Sequence, residues 1–215
     1  MPSANSGPMS TYASVGKRAL DIILVLLLLP LAIPVGLLIA TAILLTDGGN
    51  VLYRAPRVGA RGGDFSIVKF RTMVRNSDVV LRELREAYPQ MDAEFEDSVK
   101  LRRDPRITRL GRVLRRTSLD ELPQLLNVLK GDMSLVGPRP VTRREWERFY
   151  GNQAEFVFRS RPGLTGYWQV SGRSLLPYRQ RINLDLAYAE RCGFATDLSI
   201  LVRTIPTVLR GHGAF

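Results

Sequence analysis

The run Ile22-Ile23-Leu24-Val25-Leu26-Leu27-Leu28-Leu29-Pro30-Leu31-Ala32-Ile33-Pro34-Val35-Gly36-Leu37-Leu38-Ile39-Ala40-Thr41-Ala42-Ile43-Leu44-Leu45 carries no charge. It is long enough to cross a bilayer, which takes roughly 20 apolar residues. No convincing small-residue cleavage site follows it and it is long for a signal core, so a signal peptide is disfavoured. Two features complicate a simple span. Pro30 and Pro34 interrupt the hydrogen-bond ladder of a helix. Basic residues also flank both ends, Lys17 and Arg18 before and Arg54, Arg57 and Arg61 after. Such residues mark cytoplasmic flanks. A helix that enters the membrane, breaks near Pro30 and returns to the same face satisfies both observations. An ordinary kinked transmembrane helix is the alternative, because membrane helices tolerate proline. Residues 1–16 are small and polar and are expected to be disordered. The chain therefore divides into a disordered 1–16, a membrane helix over 17–46 and a domain over 47–215.

Thirty-one Lys and Arg against twenty Asp and Glu give a net charge of +11 over 215 residues. Such a field suits nucleic acid, an anionic membrane surface or phosphorylated substrates. Cys192 is the sole cysteine and His212 the sole histidine. An internal disulfide is impossible, and a histidine triad or zinc cluster is disfavoured. Catalysis must rest on carboxylates, Lys, Arg or a hydroxyl.

Outward from the apolar run, Asp47-Gly48-Gly49-Asn50 has turn chemistry. Val51-Leu52-Tyr53 and Phe65 to Arg71 read as two strands joined by the loop Gly59-Ala60-Arg61-Gly62-Gly63. The loop fits neither the P-loop nor the dinucleotide fingerprint. Lys69 and Arg71 are better anion candidates than its glycines. Residues 77–98 hold seven of the twenty acidic residues and read as a solvated helix pair broken at Pro89. The charge then reverses. Lys100 to Arg116 contains eight Lys or Arg and only Asp104.

That basic run leads into Ser118-Leu119-Asp120-Glu121-Leu122-Pro123-Gln124-Leu125-Leu126. Ser118 with Glu121 fits a capping box, and Leu119, Leu122, Leu125, Leu126 and Leu129 recur at helical spacing up to Gly131. Asp120 and Glu121 would sit at the positive end of this helix. Capping alone explains acidic residues there, and the preceding arginines favour an anion site as well. Pro138 and Pro140 hold Arg139 on a stiff backbone, so it can grip phosphate at lower entropic cost. Arg161 to Arg173 surrounds Tyr167 and Trp168 with glycines and arginines. It reads equally as a loop gripping something flat and anionic and as a structural turn over an aromatic core. Residues 178–192 form a helix bringing Asp185 and Tyr188 together. Leu198 to Leu209 is amphipathic, suited to a membrane surface or to packing, with Pro206 limiting its length.

Taken in order, several motifs resemble one family. They are Lys17-Arg18-x-x-Asp21 before the Pro30-broken run, Lys69-Phe70-Arg71-Thr72-Met73, Asp104-Pro105-Arg106, Ser118 to Leu125, Gly131-Asp132-Met133-Ser134, Val136-Gly137-Pro138-Arg139-Pro140, and Arg161-Pro162-Gly163-x-Thr165-Gly166-x-x-Gln169-Val170-x-Gly172-Arg173. The chain looks like the bacterial sugar transferases, the monotopic phosphoglycosyl transferases, from Lys17 to its end. Among them it looks most like the short enzymes that begin exopolysaccharide repeat units with galactose-1-phosphate and undecaprenyl phosphate.

The resemblance implies an α+β, predominantly helical monotopic protein: a Pro-broken re-entrant membrane helix and a compact cytoplasmic catalytic domain with a small β-hairpin. It implies Asp120 as the nucleophile on a UDP-sugar, releasing UMP, with Glu121 beside it and Mg²⁺ at that pair. Arg115 and Arg139 would neutralise phosphate oxygens. Lys69, Arg71 and Arg173 would line the nucleotide-phosphate pocket with Pro138 and Pro140. The family's membrane break carries a Ser-Pro pair, whereas here Leu29 precedes Pro30. Expected partners are the UDP-sugar, undecaprenyl phosphate, inner-membrane lipid and downstream glycosyltransferases, with a homodimer compatible with the apolar surface and no nucleic acid. Glucose-1-phosphate or N-acetylhexosamine-1-phosphate is the alternative cargo. Rivals from other classes are a non-catalytic polysaccharide scaffold and a membrane-tethered anion binder built on residues 100–116.

Overall fold

The structure is a computed structural model that describes residues 12–98, 101, 104–173 and 176–211. A π-helical turn, Tyr12–Gly16, leads directly into helix α1, Lys17–Thr46. Order therefore begins before residue 17, and the disorder expected at the start of the chain falls, for residues 1–11, outside the described residues. Helix α1 runs through Pro30 and Pro34 without a break in its helical assignment, contrary to the interruption expected at Pro30. Each proline removes its own N–H bond and crowds the carbonyl four residues back, but the leucine-rich turns on either side keep their bonds.

One stripe of α1 lies on the rest of the protein. Near its start, Arg18 donates to the carbonyls of Val128 and Leu129. Asp21 accepts from the Ser134 hydroxyl at 3.0 Å and the Leu135 amide at 2.9 Å. Val25 is fully buried in the central core. Near its end, Ile39 and Ile43 pack with Phe70 and Leu114. The remaining faces are open: Leu27 and Leu38 are each 72 % exposed and Leu45 81 %. This is the one helix, among the described residues, long and apolar enough to cross a membrane.

Strands β1, Leu52–Val58, and β2, Asp64–Phe70, form the expected antiparallel hairpin, in register from Leu52 opposite Phe70 to Val58 opposite Asp64. Helices α2, Ser77–Ala87, and α3, Pro89–Ser98, follow and break at Pro89 as expected. Helix α4, Arg109–Thr117, is capped by the Thr108 hydroxyl, which accepts from the Gly111 amide at 2.9 Å. Helix α5, Leu125–Lys130, ends at Gly131, whose φ of +93° supplies the left-handed stop. Strand β3, Ser134–Val136, pairs in parallel with β4, Gly163–Thr165. Between them lie α6, Arg143–Glu145, and α7, Ala154–Val157. Helices α8, Tyr167–Ser171, α9, Tyr178–Arg191, and α10, Phe194–Arg210, complete the chain. Pro206 does not shorten α10.

The β3–β4 pair went unread in the sequence. It brings backbones so close that a Cβ on Gly163 would lie 2.0 Å from the Gly137 amide nitrogen. The central core joins Val25 of α1, Ala55 and Ile67 of the hairpin, Leu125 and Val128 of α5, Tyr188 of α9 and Ile200 of α10. A buried polar knot ties the helices together at one end. Asp197, 1 % exposed, accepts from Lys17 at 2.5 Å, Tyr12 at 2.7 Å and Tyr188 at 2.9 Å.

Candidate active site

Helix α4 ends where Ser118 adopts a left-handed conformation, φ +59°. The chain then enters a 3₁₀ turn, Leu119–Gln124, with the Glu121 amide donating to the Ser118 carbonyl at 3.2 Å. Pro123 cannot donate the bond that an α-helix requires at its position. The capping box expected at Ser118 is therefore absent: a left-handed Ser118 makes no side-chain cap. That motif occurs instead at Thr142 and Glu145.

The turn presents Asp120 and Glu121 side by side. Asp120 is 7 % exposed. Lys69, from β2, pairs with Glu121. Arg115, in the last turn of α4, donates its Nε to the Thr72 hydroxyl at 3.0 Å and lies within electrostatic reach of Asp120 and Glu121. Burial lifts the Asp120 carboxyl from 3.8 to about 6. The neighbouring Glu121 adds to that rise, while Lys69 and Arg115 oppose it. Arg173 has a φ of +53° and is buried, its Nη1 has no hydrogen-bond partner among the described residues, and its charge is felt by Glu121. Lys69, Arg115 and Arg173 thus gather around the carboxylate pair, a grouping that separates Arg115 from Arg139 and Arg173 from Arg71. Arg71 is partly diverted: one guanidinium nitrogen donates to the Gly48 carbonyl, fixing the exit of α1.

Arg139 belongs to a second group. Its guanidinium lies over Trp168, 5.1 Å from the ring centre, and Arg181 lies 5.5 Å from the same ring. Arg57 joins them from β1. Burial and then the Arg139 charge push both Arg57 and Arg181 below the ordinary arginine value. Glu145 is their counter-charge. It accepts from the Thr142 amide at 2.8 Å and hydroxyl at 2.9 Å. Burial alone would raise its carboxyl, but Arg139, those bonds and Arg57 hold it below the ordinary value. Asp185, fully enclosed, accepts from the Tyr150 hydroxyl at 2.7 Å and is lifted by burial to about 7. Sequence reading missed Arg57, Glu145 and Arg181 as site residues, because nothing in their spacing announces convergence on Arg139. The stretch around Trp168 is helix α8 rather than a loop. Both groups line one cleft of about 2470 Å³, larger than the roughly 300–1,000 Å³ of a site for one small ligand.

The donor set suits one class of ion. Asp120 and Glu121 are adjacent carboxylates, and no cluster of three or more His, Cys, Asp or Glu stands ready for a metal among the described residues. Mg²⁺ is commonly held by one or two carboxylates completed by substrate phosphates and water, and these residues fit that pattern.

Two features together define a class: a membrane-grade helix docked on a small domain, and a buried carboxylate among cations. Residues 12–211 match the model of the bacterial sugar transferase family, and the chain belongs to that family. It is 42 % identical over 210 residues to the exopolysaccharide production protein ExoY of Sinorhizobium fredii, covering 98 % of this chain and 92 % of that protein. It is 46 % identical over 199 residues to the undecaprenyl-phosphate galactose phosphotransferase of Salmonella typhimurium, covering 93 % of this chain and 41 % of that one. It is 40 % identical over 217 residues to the UDP-glucose:undecaprenyl-phosphate glucose-1-phosphate transferase of Caulobacter vibrioides, covering 97 % and 76 %.

Proposed function

We propose that the protein transfers hexose-1-phosphate from a UDP-sugar to undecaprenyl phosphate, the first membrane step of exopolysaccharide synthesis. The observation that carries this reading is Asp120. It is a buried carboxylate, flanked by Lys69 and Arg115, on the wall of a cleft that also holds the Arg57–Arg139–Arg181 group. In the first half-reaction an Asp120 oxygen bonds to the β-phosphorus of the donor. The bond from that phosphorus to the bridging oxygen breaks, and UMP leaves with the electron pair. Lys69, Arg115 and Arg173 offset the charge on the transferring phosphoryl group, while Arg139 with Arg57 and Arg181 receives the departing nucleotide phosphate. In the second half an oxygen of the lipid phosphate attacks the same phosphorus and the Asp120 carboxylate leaves. The product is a polyprenyl diphosphate sugar, the substrate class that downstream glycosyltransferases extend. Mg²⁺ held by Asp120, Glu121 and the diphosphate would offset the repulsion between carboxylate and donor.

Contacts of both ends of the unbroken α1 with one domain support a monotopic placement, both ends on one side of the membrane; the inner membrane, with the catalytic domain on its cytoplasmic face, is the setting that goes with an undecaprenyl-phosphate acceptor. Galactose is the favoured sugar and glucose the second reading, since both are named among relatives of similar identity. The test is UMP release by purified protein with Mg²⁺, undecaprenyl phosphate and UDP-galactose, UDP-glucose or UDP-N-acetylglucosamine in turn. Lipid-dependent UMP from one donor names reaction and sugar together. No UMP from any donor, with the protein folded, refutes the reading.

A further inference from the structure

The cleft changes character away from the carboxylates. Its walls there are α1 and α10, and every residue these helices contribute to it is uncharged. On α10 the apolar contributors Leu198, Val202, Ile205 and Leu209 form one helical row, 47 %, 59 %, 63 % and 81 % exposed. The charged Arg203 of the same helix is not on the cleft wall. Another face of α10 is fixed: Ile200 is fully buried, and on the cleft wall the Thr204 and Thr165 hydroxyls meet at 2.8 Å, tying α10 to β4. Asp197 holds the start of α10 to the start of α1 through Lys17. The row is therefore preformed and open. Along 1.5 Å per residue, Leu198 to Leu209 extends about 17 Å.

We infer that the first isoprene units of a polyprenyl phosphate lie in the groove between α1 and α10, with the phosphate drawn to the Lys69–Arg115–Arg173 end. The inference rests on the acceptor named above and assigns its binding site. The occupant follows from charge complementarity along one cleft. An uncharged channel that ends on three cations matches an amphiphile with a long hydrocarbon chain and an anionic head. The groove lets that head reach the phosphoryl-bearing carboxylate while the chain stays out of water, where burial is favourable by about 25 cal/mol per Å². A bilayer-facing stripe alone would not need to share a wall with the carboxylate pair.

A photoreactive diazirine residue at Val202 tests this directly against the same residue at Leu38, which is 72 % exposed on α1 and off the cleft wall. With labelled undecaprenyl phosphate in phospholipid nanodiscs, Val202 should crosslink to the polyprenyl lipid, and unlabelled undecaprenyl phosphate should compete. Equal labelling at both positions, or labelling that only bulk phospholipid competes, would overturn the groove and leave α10 as a bilayer contact. Val202→Trp fills the groove while remaining apolar, and it should raise the acceptor KM about tenfold more than the donor KM. Parallel changes in both constants would also overturn it. Crosslinking needs no turnover, so capture of the lipid by the diazirine protein at position 202, together with no UMP release by the wild type, refutes the proposed reaction and leaves the lipid site standing.

Discussion

Replacing Asp120 by Asn should abolish turnover and make the protein more stable. Asp120 is 7 % exposed and its carboxyl is lifted from 3.8 to about 6, burial being the main cause. At 1.36 kcal/mol per pH unit, ionising it in the folded protein costs roughly 3 kcal/mol. A raised carboxyl value means that the folded state holds its proton more tightly than the unfolded chain. Its contribution to stability is therefore fully present below pH 3.8 and lost as pH rises through 6. Asn is neutral at every pH and escapes that loss. At pH 8, without divalent cation, Asp120→Asn should unfold up to roughly 6–12 °C above the wild type, from 2–4 °C per kcal/mol for a chain of this size. The difference should shrink as pH falls toward 4. Thermal unfolding in detergent across that pH range measures it, and mass spectrometry of donor-treated protein should find the phosphoryl adduct on the wild type only. A variant no more stable at pH 8, or equally stabilised at pH 4, would refute the burial argument. An adduct on the Asn protein would refute Asp120 as nucleophile.

Arg139→Ala removes the central charge of the Arg57–Arg139–Arg181 group. It should cut kcat/KM for the UDP-sugar about ten- to a hundredfold, the value of one charge-assisted phosphate contact, while sedimentation with membranes stays as in the wild type. Lys17→Ala leaves Asp197 without its cation in a site 1 % exposed, and should destabilise by about 3–5 kcal/mol. Adding Asp197→Asn should recover part of that in a thermal melt, and no recovery would mean that Lys17 acts only by packing. With Cys192→Ser as background, Val15→Cys and Asn50→Cys should both react with a membrane-impermeant thiol reagent from the cytoplasmic side alone. Labelling from opposite sides would exclude the monotopic placement.

What the sequence made legible was local. The uncharged run became α1, the alternation from Phe65 to Arg71 became β2, and Pro89 parted two helices. The Asp120–Glu121 pair stood out because acidic residues follow a basic run. The misreadings have local causes too. Ser118 was read as a helix start because Glu121 sits three residues on, yet its backbone is left-handed and it closes α4 instead. Pro30, Pro34 and Pro206 were read as breaks, and all three lie inside helices whose neighbouring turns are strongly apolar. The β3–β4 pair and the convergence of Arg57, Arg139 and Arg181 join segments far apart in the chain. No periodicity encodes such meetings, and only glycine at 137 and 163 hints that two backbones must nearly touch.

The anchoring of α1 bears on the chemistry because it fixes where Asp120 lies relative to the apolar surface. Leu122, two residues beyond Asp120, packs in both cores that receive α1, one holding Val25 and the other Ile39 and Ile43. A Cβ added to Gly36, midway along α1, would lie 3.9 Å from Leu122 and 3.7 Å from Phe70. The 3₁₀ turn carrying the carboxylates and helix α1 are thus one packed unit. A change in the depth of α1 would move Asp120 with it. Near pH 6 the carboxyl changes between a protonated form, which stabilises the fold, and an ionised form, which the proposed reaction requires. Above that pH the protein gives up stability for a carboxylate that the surrounding cations hold ready.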